Sequence, residues 1–229
     1  MAGIPSLLSA LFIVGMDNSI YKSTTTGWVE VAGGRKAIDI AVDSKNQPWI
    51  VGMNNAVSVF KNGTWVEAPG SLDAREIALA PNGEPYIVGM NYAILRNDGS
   101  KWTEIPTGAR AYTVSIDGTG RPWIIGTDTT IMYFEAGQWR YYPGNGRGIN
   151  IAASPDGVPF IFATNSRVHT GGMTCWELLP TGDAYGLDLA VDGQGRLWII
   201  GLDNGIWYYE AESWKRFPGG KKALRITVR

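Results

Sequence analysis

The sequence predicts an all-β fold, a six-bladed β-propeller closed by its own C-terminal strand, and three observations predict it. Tryptophans fall at Trp28, Trp65, Trp102, Trp139, Trp176 and Trp214, at intervals of 37, 37, 37, 37 and 38 residues. Gly15, Gly52, Gly89, Gly126, Ala163 and Gly201 keep the same phase, each closing an apolar run such as FIV, WIV or WII. Finally, the chain ends on KALRITVR, an alternating strand pattern with no turn or partner after it. A fixed period of this length marks a repeat architecture.

Residues 37 to 70 show how one unit is built. Ala37 to Val42 alternates, Trp49 to Val51 is apolar, Ala56 to Phe60 alternates again, and Thr64 to Ala68 carries the phased Trp. Asp-Ser-Lys-Asn, Asn-Asn and Asn-Gly break the runs. Sister units use Asn82-Gly83, Asp117-Gly118, Asp156-Gly157 and Asp192-Gly193, dipeptides in which positive φ costs little. Four short strands per unit, repeated radially, predict six small sheets that cover their faces on one another. An open solenoid would need polar capping units, and the first and last units here are ordinary. The first unit begins only at its second strand, Phe12 to Gly15, whereas Ala223 to Val228 matches the inner strand Ala37 to Val42. The C-terminus therefore supplies the strand that the N-terminus lacks, in a single domain over residues 1–229 whose first blade residues 222–229 complete. Closure of this kind pairs edges that would otherwise stay open.

Of the 229 residues, 45% are hydrophobic, enough for a sizeable core, and the net charge is −1 without basic or acidic runs. No nucleic acid or anionic membrane is expected as a partner. One cysteine, Cys175, and one histidine, His169, exclude an intramolecular disulfide and leave too few soft ligands for zinc. The apolar start, IPSLLSALFIV, has no Lys or Arg ahead of it and ends inside a needed strand, so it reads as retained in a cytoplasmic protein. Met1 to Ala10 then either lies across the propeller or mediates self-association into a homo-oligomer.

The unit, an IAV-type inner strand, an Asp/Asn-Gly turn, a W-I-V-G strand and a last strand with Trp before Pro-Gly, resembles the tectonin repeat over nearly the whole chain. The fit is closest to the six-bladed fungal tectonin-2-type lectins. That resemblance implies a multivalent lectin of fungal innate defence, binding O-methylated glycans, methylated mannose or fucose, on bacteria or nematodes. Unit five departs from the pattern, with Ala163 for Gly, Phe160 at the aromatic position, and Arg167, His169, Gly171 and Gly172 in its third run.

In antiparallel blades the turn between strands two and three opens on the same end as the connection to the next blade, so these loops can converge at blade boundaries. The turns read Met16-Asp17-Asn18, Met53-Asn54-Asn55, Met90-Asn91-Tyr92, Thr127-Asp128-Thr129, Thr164-Asn165-Ser166 and Leu202-Asp203-Asn204. Asp or Asn always stands in the middle, as a tight turn requires and as bonding to sugar hydroxyls also requires. The connections offer Arg35, Lys36, Asp73, Arg110, Arg147, Tyr185 and Lys222, either a solvated rim or ligand contacts. Lys222 is expected beside the loop holding Asp17 and Asn18. Met16, Met53 and Met90 are either core or a soft spot for a sugar methyl. The phased Trp residues, with Trp49, Tyr86, Trp123, Phe160 and Trp198, are assigned to packing between blades. Tyr92, Tyr112, Tyr185 and Trp207 break the repeat and suit a ligand face better.

Two other functions compete. A calcium-dependent hydrolase would use Asp39, Glu76, Asn150 and Asp188 on the inner strands, but Thr113 and Arg225 share that ring, and no Ser/His/Asp set is available. The expectation is a non-enzyme without a cofactor. A protein-interaction scaffold would carry one contiguous patch on one face rather than repeated pockets.

Overall fold

The computed structural model describes residues 11–70, 72–172, 174–179 and 185–229. The segment Met1 to Ala10 and the extra residue near Gly182, both subjects of the sequence reading, lie outside the described residues. Within them the chain forms six four-stranded antiparallel sheets arranged as a ring, a six-bladed β-propeller. The second unit comprises Ala37–Val42, Pro48–Gly52, Val57–Lys61 and Thr64–Glu67, from the channel outward. Unit five keeps all four strands despite its irregular sequence, the third being Val168–Gly171.

The second strand of each unit explains why the blades pack. Leu11–Gly15 is buried along its whole length, because its alternate side chains face different neighbours. Phe12 and Val14 join Ile40 and Ile50 of the second blade, whereas Leu11 and Ile13 join Trp198 and Ile200 of the sixth. The core is thus six wedges between blades. The phased tryptophans lie at the outer end of these wedges, over the connection of the preceding blade. Trp65 donates its indole N–H to Ala32 O at 3.0 Å, and a Cβ on Gly146 would sit 2.0 Å from Trp176 Nε1. Packing is therefore the role of these residues, as expected.

The ring closes as the terminal strand predicts. Ala223–Val228 pairs antiparallel with Leu11–Gly15, placing Ile226 opposite Ile13 and Val228 opposite Leu11. The channel side latches the same strand twice. Ile226 N donates to Asp188 Oδ2 of blade six at 2.7 Å, and Arg225 Nε lies 3.5 Å from Asp39 Oδ1 of blade two.

The turns between first and second strands differ in one respect from the reading of the Asp-Gly pairs. Positive φ falls at Asn46, Gly83, Gly120, Gly157 and Gly195, always the fourth turn position, so Gly118 and Gly193 are not the left-handed residues. The opening residue sets this geometry. Asp43, Asp117 and Asp192 each accept two backbone N–H groups from later in the turn, which carries the left-handed step further along.

Candidate functional site

Backbone hydrogen bonding fixes what meets at each blade boundary. Isolated bridges join Ser19 to Lys36, Ala56 to Asp73, Ala93 to Arg110, Thr130 to Arg147 and Arg167 to Tyr185, so each turn meets the connection leaving its blade. The connection also meets the turn of the next blade, since Met53 N donates to Lys36 O and Leu202 N to Tyr185 O. Six clusters result on one face. They group Asp17, Asn18, Lys36 and Met53; Asn54, Asn55, Asp73 and Met90; Asn91, Tyr92, Arg110 and Thr127; Asp128, Thr129, Arg147 and Thr164; Asn165, Ser166, Tyr185 and Leu202; and Asp203, Asn204, Lys222 and Met16.

Lys222 therefore stands between two turns: its neighbour Ala223 pairs with Gly15, which puts it beside the loop holding Asp17 and Asn18 as expected, and its charge also acts on Asp203. Lys221 also reaches the first blade, with Nζ 3.3 Å from the centroid of the Tyr21 ring.

The middle Asp or Asn of each turn has a structural duty. Asp17, Asn54, Asn91, Asp128, Asn165 and Asp203 each accept the backbone N–H two residues on, at 2.8–3.3 Å. The next residue is left-handed in every turn, including Tyr92 at φ 65°. Desolvation opposes charge on Asp17, but bonds from Tyr21 and Ser19 outweigh it and lower its pKa. The Thr130 hydroxyl lowers Asp128, and Gly205 N–H lowers Asp203. These carboxylates stay ionised at neutral pH, with acceptor capacity left on the exposed side. Their cationic neighbours are partly committed: Lys36 Nζ donates to Ser19 Oγ at 2.6 Å, Arg147 to Asp128 O at 2.8 Å and Arg110 to Glu104 at 2.8 Å.

Met16, Met53 and Met90 are not core. Met53 is 56% exposed and Leu202, in the equivalent position, 59%. The residue after the phased Gly leaves the strand, so its side chain turns out onto the boundary face. Four boundaries thus carry an exposed apolar side chain, while Thr127 and Thr164 replace it at the other two. At the second of the six, a cavity of 80 Å³ opens among Ala56, Val57, Glu67, Leu72, Asp73 and Trp102. The indole N–H of Trp102 is buried there with no hydrogen-bond partner among the described residues, and the same holds for Trp28, Trp139, Trp176 and Trp214. Sequence reasoning assigned these rings to packing alone. The carbonyl of Pro69, equivalent to the Ala32 carbonyl that Trp65 uses, accepts Asn97 Nδ2 at 2.9 Å instead, and Asn97 is the residue that could have exposed the spare donor of Trp102.

The central channel is a separate feature, a cavity of 370 Å³. Asp39, Glu76 and Asp188 occupy it as expected, yet each carboxylate accepts a backbone N–H from the next blade, from Ile77, Val114 and Ile226 respectively. Asn150 donates to Asp188 at 2.8 Å and Thr113 to Glu76 at 2.5 Å. Burial pushes Asp39 up to about 7 against the pull of Arg225, and burial with the charge of Asp39 pushes Glu76 up to about 8. Burial also raises Asp188. Among the described residues, no group of three or more His, Cys, Asp or Glu is placed to hold a metal ion. His169 lies in blade five, 3.2 Å from Arg167 O. No helix of the described residues is long and apolar enough to cross a membrane.

No protein-family model matches the chain, and no curated protein matches it in sequence. Solved propellers match its fold. The WD40 propeller domain of Doa1 superposes with a TM-score of 0.65 at 11% identity, covering 97% of this chain and 87% of that one. A virginiamycin B lyase from Staphylococcus aureus gives 0.60 at 19%, covering 89% and 78%, and YCF48 bound to a D1 peptide gives 0.58 at 16%, covering 94% and 84%. A gluconolactonase from Xanthomonas campestris gives 0.62 at 14%, covering 84% and 79%. Such identities establish the shared fold and leave activity to the site itself.

Proposed function

We propose that this propeller is a non-enzymatic, cytoplasmic lectin of the tectonin type, taking O-methylated glycans at its blade boundaries. The observation that carries the reading is the second boundary. There Asp73, Glu67, Leu72 and Trp102 line one small cavity, and the polar turn Asn54-Asn55 and the exposed thioether of Met90 belong to the same boundary. Planar amide and carboxylate groups suit sugar hydroxyls, and the thioether with Leu72 offers a methyl group an apolar contact. Repetition around the ring suits surfaces that display many copies of a weakly bound sugar, because clustered sites gain avidity. Methylated sugars on foreign cells, bacteria or nematodes, are the ligands in a defensive role.

The test is a glycan array carrying mannosides and fucosides with and without O-methyl groups. Retention of methylated glycans, with loss in a Met53→Asp/Met90→Asp variant that melts normally, is the expected result. Equal binding of both glycan sets would sink the methyl contact, and a blank array the lectin reading.

A protein-interaction role has one specific observation in its favour. Tyr112, Ile149 and Leu187, in successive blades around the channel, are large exposed side chains on the face that also exposes Met16, Met53, Met90 and Leu202. An Ile149→Asp/Leu187→Asp variant separates the two roles, since it leaves the boundary sites intact and removes two of these apolar side chains.

A further inference from the structure

The inner strands are the most regular part of the repeat, except at two positions. Their first residue is always Ala or Gly, their fourth is Ile, Val or Leu, and their sixth is apolar. The second position instead reads Ile38, Arg75, Tyr112, Ile149, Leu187 and Leu224. The third reads Asp39, Glu76, Thr113, Asn150, Asp188 and Arg225. A ring that needs only packing would keep one class of residue at each level, as the first, fourth and sixth levels do. The fifth departs from Ala only at Ser115 and Thr227, so divergence in size and charge is concentrated at two adjacent levels, which indicates a demand that is not six-fold.

Both levels face one place. The register shifts by one residue at the second position in all six blades, a β-bulge that carries the side chain onto the lip of the channel on the turn face. Tyr112 is exposed at this lip, 45%, with Ile149 and Leu187 beside it. The third position forms the waist just below, opening into the 370 Å³ cavity. Its groups include donors and acceptors of every kind: a hydroxyl, an amide, carboxyls and a guanidinium.

The lip is furnished on one side in particular. The Tyr92 ring stands edge-on to Tyr112 at 5.6 Å between centroids, and the Arg75 guanidinium lies 4.6 Å above it. A tyrosine takes the left-handed turn position there, where other units use Asn, Thr or Ser. Tyr112 and Arg75 thus line the channel cavity one residue before Thr113 and Glu76 on the same strands.

We propose that this mouth is a binding site distinct from the blade boundaries, taking one neutral sugar ring that stacks on Tyr112 and hydrogen-bonds to Glu76, Thr113 and Asn150. Neutrality follows from the charges present. A free cation would meet Arg225 in the waist and Arg75 at the lip, and an anion would meet three carboxyl groups. A polyhydroxylated ring can both donate to and accept from such a set. The site rests on the glycan reading only for the chemical class of its ligand.

Incorporation of 3-fluorotyrosine into the full chain, with the Tyr112 signal assigned through Tyr112→Phe, gives a direct fluorine NMR probe. Methyl α-mannopyranoside and its 3-O-methyl ether are titrated to about 50 mM, the range of a weak single-sugar site. Butylamine and acetate serve as charged controls. Sugar should shift the Tyr112 signal saturably, with at least a tenfold weaker response in Thr113→Val, while Met53→Asp leaves it unchanged. In Tyr112→Ala, an exposed change that spares the fold, the Tyr92 signal should no longer respond.

A Tyr112 signal that moves only with butylamine or acetate overturns the proposal. So does a silent Tyr112 when the array binds glycans, an outcome that leaves the boundary reading standing. A Tyr112 shift alongside a blank array supports the channel site and removes the boundary sites.

Discussion

Replacing Ile226 by Ala tests the closure at its least covalent point. The side chain is 4% exposed and packs among Leu11, Ile13, Trp198 and Ile200, bridging blades one and six. Truncation of such a residue costs about 2–5 kcal/mol, a drop of roughly 4–20 °C in melting temperature for a chain of this size. Ile40 holds the same register in blade two and should cost a similar amount globally. The two variants part in hydrogen exchange. Ala223–Val228 has no chain continuing from it into the next strand of its blade, so Ile226→Ala should let it open locally and speed exchange of the Leu11–Gly15 amides. Ile40→Ala should raise exchange only through global unfolding. If both variants give the same exchange pattern, or if a chain ending at Lys222 melts with the full protein, the seam is not what holds the ring.

The channel acids predict a pH dependence. Asp39 and Glu76 titrate higher folded than unfolded, at about 7 and about 8 against 3.8 and 4.5, so the native state holds their protons more tightly. Stability from these groups is full below about pH 4 and falls as pH rises through 8, by up to about 1.4 kcal/mol per pH unit for each proton. Melting temperatures at pH 5, 7 and 9 should decline, and Glu76→Gln should flatten the decline; a rise would contradict the protonated ring. Gly118→Ala should destabilise by about 1–3 kcal/mol, because its Cβ would lie 2.2 Å from Pro155 O, a backbone atom of the next blade. Denaturant titration measures it, and a neutral result would mean that the blades shift freely. Asn55, at φ 63°, should lose about 1 kcal/mol on change to Ala, whereas Asn55→Gly keeps the turn. The pair Asn54→Ser/Asn55→Gly therefore removes the amides cleanly, and should weaken glycan binding at an unchanged melting temperature.

Packing in a propeller is periodic, and a periodic demand leaves a periodic trace in the sequence. The phased Trp and Gly residues and the unpaired terminal strand therefore made blade number, strand order and closure legible. The turn positions were legible as turns for the same reason. What they offer a ligand was not: a methionine after a strand looks the same in sequence whether its side chain turns in or out. Only the register places Met53 outside. The second neighbour of Lys222, Asp203, was missed because a connection touches two turns, and the pattern that closes the ring points to only one of them. The spare N–H of Trp102 was invisible as well, since the same indole in Trp65 finds a carbonyl.

The two candidate sites differ in how they arise from the repeat. At the boundaries, the Asp or Asn is fixed by the turn whatever it binds, so a ligand there uses groups that folding has already supplied. Only the flanking positions, Met or Leu against Thr, and Lys, Arg, Tyr or Asp in the connection, are free to tune affinity, which predicts boundaries of unequal strength. The channel mouth is the reverse case. Nothing in blade packing asks for Tyr112 or Arg75 in particular, and burying three carboxyl groups beside one guanidinium costs stability that smaller residues would spare, even though each carboxyl holds a backbone N–H of the next blade. A level of the ring that gives up six-fold regularity and stability together is where a single asymmetric ligand fits best, even while the boundary sites repeat around it.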